Sequence, residues 1–474
     1  MSHKKPQHPV ENLELNDRHL FIISDLHISR GREKSGLYTG TENFFADASF
    51  ARWIDYCIEK SQHEKATLII NGDFIDFLRV IFQPNELQNL NFLEWSVWLK
   101  KVDIHKTPQE LQNSVEYKDE NKYGFKTDDF KSIWKLQQVA LGHPKLFAAL
   151  GKWMSQPNHN MIIVKGNHDF EWYWPKVQAY FSVLVQENRV PKSNVDFSQN
   201  DILFYQDSLI INQKIYIEHG HQYDTFTSIV GSDTLEGSQS GQLRLPLGSF
   251  VNRYLLNRIE IDYPFLDNVR PTSNILPILI RERFPLAIEL VFKRLFYILK
   301  FIKKQEFLYV FGHFLTFIGL VLVPIGITAY LIFKEYQTGS FSDISLSWLS
   351  PLKNLGLLVL SYLFGRLLVK FRLTEPSDLS KNAFDIFTQY PHLQIITMGH
   401  THNPYQLFFE GKAFFNTGTW IPIVENSSAA IRQDRTFTFL YIQIDENQNC
   451  QFKPLLRWND DANRADEIEI STRI

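Results

Sequence analysis

Residues 161–170 read MIIVKGNHDF. Met161 to Val164 suit a buried strand; Gly166 then breaks the run, and Asn167, His168 and Asp169 follow at once. Such an ending has two readings. Gly, Asn and Asp are turn residues, because they tolerate left-handed backbone or bond to their own main chain. The same position in an open α/β sheet is where ligands gather, just beyond the carboxyl ends of the strands. Whether other apolar runs end in the same way decides between the two.

They do. HLFIIS (19–24) leads into Asp25-Leu26-His27, and ATLIIN (66–71) into Gly72-Asp73. KIYIE (214–218) leads into His219-Gly220-His221, and LQIITM (393–398) into Gly399-His400-Thr401-His402. Residues 48–60 read as a helix, so 19–71 is a strand–helix–strand unit of the kind that builds parallel sheets. GKAFFNTGTW (411–420) and TFTFLYIQI (436–444) read as closing antiparallel strands. Period-two alternation predicts Asp25 and His27 on one face of an extended segment, and His400 and His402 likewise. Each fragment alone has a plain structural reading: Gly-Asp after a strand is a turn, and a histidine pair can be satisfied by its neighbours. The ordered set points instead to a metal centre. Carboxylates, imidazoles and one amide oxygen, with no thiolate, suit Mn2+, Zn2+ or iron.

The set Asp25-x-His27, Gly72-Asp73, Gly166-Asn167-His168-Asp169, His219 and Gly399-His400-x-His402 resembles the signature of the calcineurin-like metallophosphoesterase superfamily. The resemblance covers residues 19–224 and 393–445. It implies an α/β fold, a metallophosphoesterase α/β/β/α two-sheet sandwich, with two divalent ions between the sheet ends. Asp25, His27 and His402 would hold one ion, Asn167, His219 and His400 the other, and Asp73 would bridge. Mn2+ is the first expectation, with Zn2+ or iron as alternatives. His168 would be the acid that does not ligate, held in place by Asp169. The implied activity is that of a metal-dependent phosphoesterase, with a metal-bridging hydroxide attacking phosphorus in line. The forms Gly72-Asp73-x-x-Asp76 and His219-Gly220-x-x-x-Asp224 are similar to the UDP-2,3-diacylglucosamine diphosphatase branch, whose members are shorter.

The resemblance leaves the rest of the chain unexplained. Residues 1–18 read as a polar tail without the apolar core of a signal segment. Residues 77–155, with Trp95, Trp98, Trp134 and Trp153, read as a helical elaboration inside the first catalytic part, 19–270. Residues 271–380 form an insert, 381–458 the second catalytic part, and 459–474 a charged tail. Within the insert, 307–333 holds no Asp, Glu, Lys or Arg. As a helix it would reach roughly 40 Å, more than a hydrocarbon core of about 30 Å. Residues 351–370, interrupted by Arg366, are a second candidate span, completing a transmembrane helical hairpin. Residues 281–304 carry seven Lys or Arg against two Glu and read as an amphipathic helix drawn to anionic membrane lipid. Positive charge on both outer flanks places the catalytic domain and both termini on the cytoplasmic side. The alternative is a helical hairpin with a buried first helix and no bilayer.

Function classes are also excluded. A formal net charge of −3 over 474 residues is no nucleic-acid signature. Cys57 and Cys450, the two cysteines, form no spacing motif for zinc or a disulfide framework. Neither a P-loop nor a Gly-x-Ser-x-Gly pattern occurs. The leading expectation is a membrane-anchored phosphohydrolase acting on a phosphate ester or diphosphate, a lipid-linked one being the natural partner of a membrane hairpin. The alternatives are a phosphodiesterase of soluble nucleotides or small esters, and a non-catalytic scaffold. His63, His105, His143, His159 and His392 are expected on the surface or on helices. Trp172, Tyr173 and Trp174 either line a substrate wall or pack on the elaboration.

Overall fold

The computed structural model describes residues 10–32, 35–38, 41–62, 64–81, 92–190, 269–270, 379–425, 431–432 and 435–468. It also describes 202–257 apart from 225–226, 230–231 and 238–239, and scattered positions between 281 and 363. The chain divides into two compact units, Met1–Arg270 with Pro376–Ile474, and Pro271–Glu375. In the second unit the described residues are mostly isolated helical positions, and the Thr328 and Ser361 hydroxyls hydrogen-bond to each other.

The first unit is a mixed α/β body with two principal sheets. One runs, edge to edge, Arg464–Glu467, Leu456–Asn459, Thr438–Ile444, Arg18–Ile23, Ala66–Asn71, His159–Val164 and Ile202–Tyr205, with Cys450–Phe452 also paired to Thr438–Ile444. Its last four strands are parallel. The other runs Glu11–Leu13, Ser208–Ile211, Ile215–Glu218, Ile395–Met398, Lys412–Asn416 and Tyr405–Phe409. In it Ile215–Glu218 and Ile395–Met398 are parallel neighbours.

Side-chain alternation builds the layers. Leu20 and Ile22 point into the space between the sheets with Ile69, Ile162, Ile217, Ile395 and Phe415. Phe21, Ile23, Leu68, Ile70 and Ile163 point the other way, onto helices Asp47–Lys60, Pro144–Trp153 and Pro175–Glu187. The far face of the second sheet, with Tyr216, Ile396 and Phe414, is covered by helix Ser380–Gln389 through Ala383, Ile386 and Phe387. Strands buried on both faces read as unbroken apolar runs, which is why the core strands were visible in the sequence. The described residues of the polar elaboration, 77–81 and 92–155, are mostly helical, and Trp95, Trp134 and Trp153 anchor them in the first core.

The expected transmembrane hairpin is corrected. Among the described residues no helix is long and apolar enough to cross a membrane. The long helices Asp47–Lys60 and Asp129–Gly142 have 14 residues each, about 21 Å of rise. Almost all of 281–304, 307–333 and 351–370 lies outside the described residues. The expected placement in a membrane, with the catalytic domain and termini on its cytoplasmic side, falls with the hairpin. The terminal tails also differ from expectation. Glu11–Leu13 adds a parallel edge strand to the second sheet. Leu456–Asn459 and Arg464–Glu467 form a hairpin on the first. Asp460 pins that hairpin by accepting from Ser49 Oγ at 2.8 Å and Arg52 Nε at 2.9 Å, a tertiary contact that a charged stretch of sequence does not announce.

His143 was expected on the surface or a helix; it is fully buried between two carboxylates. Its Nδ1 lies 2.9 Å from Asp47 and its Nε2 3.1 Å from Glu42. Glu42 in turn accepts the main-chain N–H of Gly31 at 2.6 Å and Phe44 at 2.7 Å, so the pair fastens the loop that follows His27. Burial alone would lower the imidazole, but Glu42 and Asp47 raise it to about 9. Stability from the charged form is therefore fully present below the ordinary histidine value of about 6.5 and is lost as pH rises through about 9. Comparing urea midpoints of wild type and His143→Gln checks this. The gap is expected to be widest near about pH 6 and to narrow by about pH 9.5.

Candidate metal centre

Every candidate ligand sits in a loop at the carboxyl end of a strand. Asp25 and His27 follow Arg18–Ile23, Asp73 follows Ala66–Asn71, and Asn167 follows His159–Val164. From the second sheet, His219 follows Ile215–Glu218, and His400 and His402 follow Ile395–Met398. The expected extended segments are corrected. Asp25 (φ 54°), His27 (φ 47°), Asp73 (φ 50°), His400 (φ 70°) and His402 (φ 57°) are all left-handed. This is a costly region for residues with a Cβ, and such strain gathers at functional sites. The turns let the loops bond to one another: Asp25 N–H donates to Gly72 O at 3.1 Å, and His27 N–H to Asp73 O at 2.9 Å. Two glycines are required by close approach. A Cβ at Gly72, itself at φ +83°, would collide with the His219 ring, and one at Gly166 with the Asp73 carboxylate.

His and Asp side chains converge in three groups, two of which share His27. Asp25, His27 and His402 form one, Asp73, His219 and His400 another, and His27, Asp76 and His168 the third; in each, one donor atom per residue lies within 4.8 Å of the others. In the first, His27 Nε2 faces His402 Nε2 at 2.9 Å, and His402 Nε2 lies 3.3 Å from Asp25 Oδ1. In the second, His219 Nε2 lies 3.1 Å from Asp73 Oδ2. That same Asp73 oxygen is 3.6 Å from His27 Nε2, so it stands between the two groups.

The chemistry of the donors fits a cation. Among the described residues Asn167 Oδ1 is buried without a hydrogen-bond partner, and His219 Nε2 faces only the Asp73 carboxylate oxygen at 3.1 Å, without a formed hydrogen bond. Leaving such atoms unmatched is costly, and an ion is the partner both could accept. Second contacts fix the tautomers, as metal-binding imidazoles require. His219 Nδ1 donates to Asn71 O at 2.8 Å, which turns Nε2 toward Asp73. His400 Nε2 is held by Asp224 at 3.4 Å, leaving Nδ1 as its ligand atom. Burial drives the Asp25 and Asp73 carboxyls upward, but His219 and the other surrounding imidazoles hold both far below the usual range. Burial would likewise lower His27, yet hydrogen bonds to Asp25 and Asp76 raise it to about 10, and Asp73 and Asp25 raise His219 to about 9. Protonated imidazoles thus supply the positive charge that a bound cation would bring, and binding would release those protons.

Asp169 does not hold His168. It accepts the N–H of Gly166 at 2.6 Å, the N–H of Phe74 at 2.9 Å and Trp172 Nε1 at 3.0 Å, and so braces the loop. A short loop turns its carboxylate back toward its own main chain, while burial and then the Asp73 charge push it up to about 7. The residue that holds His168 is Asp76, whose Oδ2 meets His168 Nδ1 at 2.8 Å. Asp76 also lies 3.6 Å from His27 Nδ1 and 3.1 Å from Arg79 Nε. Asp76 and Asp224 were visible in the sequence as spacings only; their partners are set by tertiary structure. Trp172 is buried and packs on Phe77 and Phe181, and Trp174 Nε1 donates to Thr127 O in the elaboration, which favours packing over a substrate wall.

No protein-family model matches the chain, and no curated protein matches it.

Two outcomes are expected in metal titrations. Mn2+ or Zn2+ should raise the melting temperature of the wild type by linkage, and Asp73→Ala should remove most of that shift. Asp224→Asn, which loosens His400, should weaken metal affinity about 10–100-fold with little change in the metal-free melting temperature.

Proposed function

We propose that the chain is a metal-dependent phosphohydrolase of the calcineurin-like metallophosphoesterase type, cleaving a phosphate ester or diphosphate. The observation that carries this reading is the meeting of Asp25, His27 and His402 with Asp73, His219 and His400 around one shared carboxylate, from loops of two sheets. The resemblance assigns Asn167 to the second ion, and its buried amide oxygen, without a hydrogen-bond partner among the described residues, is free for that role. Two divalent cations held there, Mn2+ first by donor type, would neutralise phosphoryl oxygens and supply an activated water.

The chain's own residues do the rest. Asp73 Oδ1 accepts the His168 N–H at 2.8 Å, which sets His168 beside the centre. His168 packs edge-on against His27, with ring centroids 4.6 Å apart. With Nδ1 committed to Asp76, Nε2 is the atom left to give a proton to the leaving oxygen. Burial would lower this imidazole, but Asp76 and then Asp73 raise it, which favours the proton-carrying form of an acid. The lipid-linked substrate rested on the membrane hairpin and loses its support with it; a soluble ester serves the same site.

The direct test is hydrolysis of bis(p-nitrophenyl) phosphate with added Mn2+. Wild type should turn over, Asp73→Ala should not, and His168→Ala should lose about 100-fold or more in kcat. Asp76→Asn should cost about 10–100-fold while metal content stays unchanged. A chain that takes up metal but hydrolyses no ester of a broad panel would be the scaffold instead.

A further inference from the structure

Strand His159–Val164 ends in a charge that its surroundings leave unanswered. Lys165 is 3% exposed, and its main-chain N–H donates to Tyr205 O at 2.9 Å. Among the described residues its ammonium meets no carboxylate and no hydrogen-bond acceptor; its one recorded contact is the Phe170 ring, 5.8 Å from Nζ to the centroid. Other buried lysines of this fold are treated differently. Lys131 is paired to Glu120 and Lys135 to Glu171, each at 2.7 Å. With no carboxylate of the described residues to neutralise it, this ammonium is available to an anion from outside the chain.

A second orphan lies against the same ring. Phe170 packs edge-on against His221, centroids 6.1 Å apart, and among the described residues the buried His221 Nδ1 has no hydrogen-bond partner. His221 feels the charge of Lys165 and lies 5.5 Å, ring to ring, from His219. Lys165 is also two residues before Asn167. His221 thus adjoins His219 of the Asp73–His219–His400 group, and the charge of Lys165 reaches His221 across Phe170.

We propose that Lys165 and His221 form an oxyanion subsite beside the His219–His400 group, and that it receives a terminal oxygen of a phosphomonoester dianion. This deepens the phosphohydrolase reading and rests on it. A monoester presents one more anionic oxygen than a diester. That oxygen needs a positive partner not already neutralised by the chain's carboxylates, and Lys165 is one. An ammonium, with three donors on a point charge, suits such an oxygen. The subsite thus makes the protein prefer monoesters to diesters.

The experiment compares kcat/KM for p-nitrophenyl phosphate and bis(p-nitrophenyl) phosphate in the full, metal-loaded chain. Lys165→Met should lower the monoester-to-diester ratio at least about tenfold, and Lys165→Arg should restore much of it. His221→Phe, which keeps the ring volume, should move the ratio the same way and stands in if Lys165→Met does not fold. Equal losses on both esters, or an unchanged ratio, overturn the proposal while leaving the phosphohydrolase reading intact. If wild type hydrolyses neither ester, that reading fails, and calorimetric titration with inorganic phosphate then decides for the subsite. Binding weakened about tenfold by Lys165→Met sustains it; wild-type binding that is absent, or unaffected by the substitution, overturns it.

Discussion

A buried carboxylate stays ionised only where positive charge surrounds it, and Asp73 is where this constraint binds the molecule together. One of its oxygens takes the His168 N–H, and the other stands between His27 and His219. Its carbonyl takes the His27 N–H, and both Gly72 and Gly166 are bare because something presses against them there. Moving Asp73 would disturb both sheets' loops at once. The two sheets, the crossovers and the left-handed turns are the means by which one carboxyl group is brought among imidazoles from distant parts of the chain.

Around this point a second set of carboxylates acts on the main chain and on side chains that flank the site. Glu42 fastens the loop after His27, Asp169 braces the loop after Lys165, Asp76 orients His168, and Asp224 orients His400. Each is buried. Such groups contribute by removing freedom, so that ligand atoms stand ready before any ion arrives. The left-handed strain at Asp25, His27, Asp73, His400 and His402 persists because these neighbours over-determine it.

The sequence made the core strands legible because strands covered on both faces are continuous apolar runs with abrupt polar ends. Ala66–Asn71 and His159–Val164 stand where those runs stop, and the residues just beyond them are those that converge. What it hid is physical too. Left-handed turns at Asp25 and His400 look like extended alternation when only spacing is read. The role of Asp76 and the idleness of Asp169 toward His168 depend on which way a side chain turns, and adjacency in sequence gave the wrong partner. The burial of His143 needed Glu42 and Asp47 from far upstream. The long apolar stretches and their basic flanks suggested a bilayer, but no described helix is long and apolar enough to cross one.

His27 and His402, whose ring nitrogens meet at 2.9 Å, are 375 positions apart in the chain. Neither half of the centre can therefore exist on a ribosome-bound chain until synthesis has passed the strand Ile395–Met398. Until then Asp25 and Asp73 lack His400 and His402, and the first sheet is itself incomplete, because its strands Thr438–Ile444, Leu456–Asn459 and Arg464–Glu467 come later still. Loop closure over such a distance adds entropy only logarithmically with length, so the late arrival delays assembly more than it weakens the product. A protease cut upstream of Ile395–Met398 would leave a fragment that keeps His27, Asp76 and His168 but lacks both the group that needs His402 and the group that needs His400.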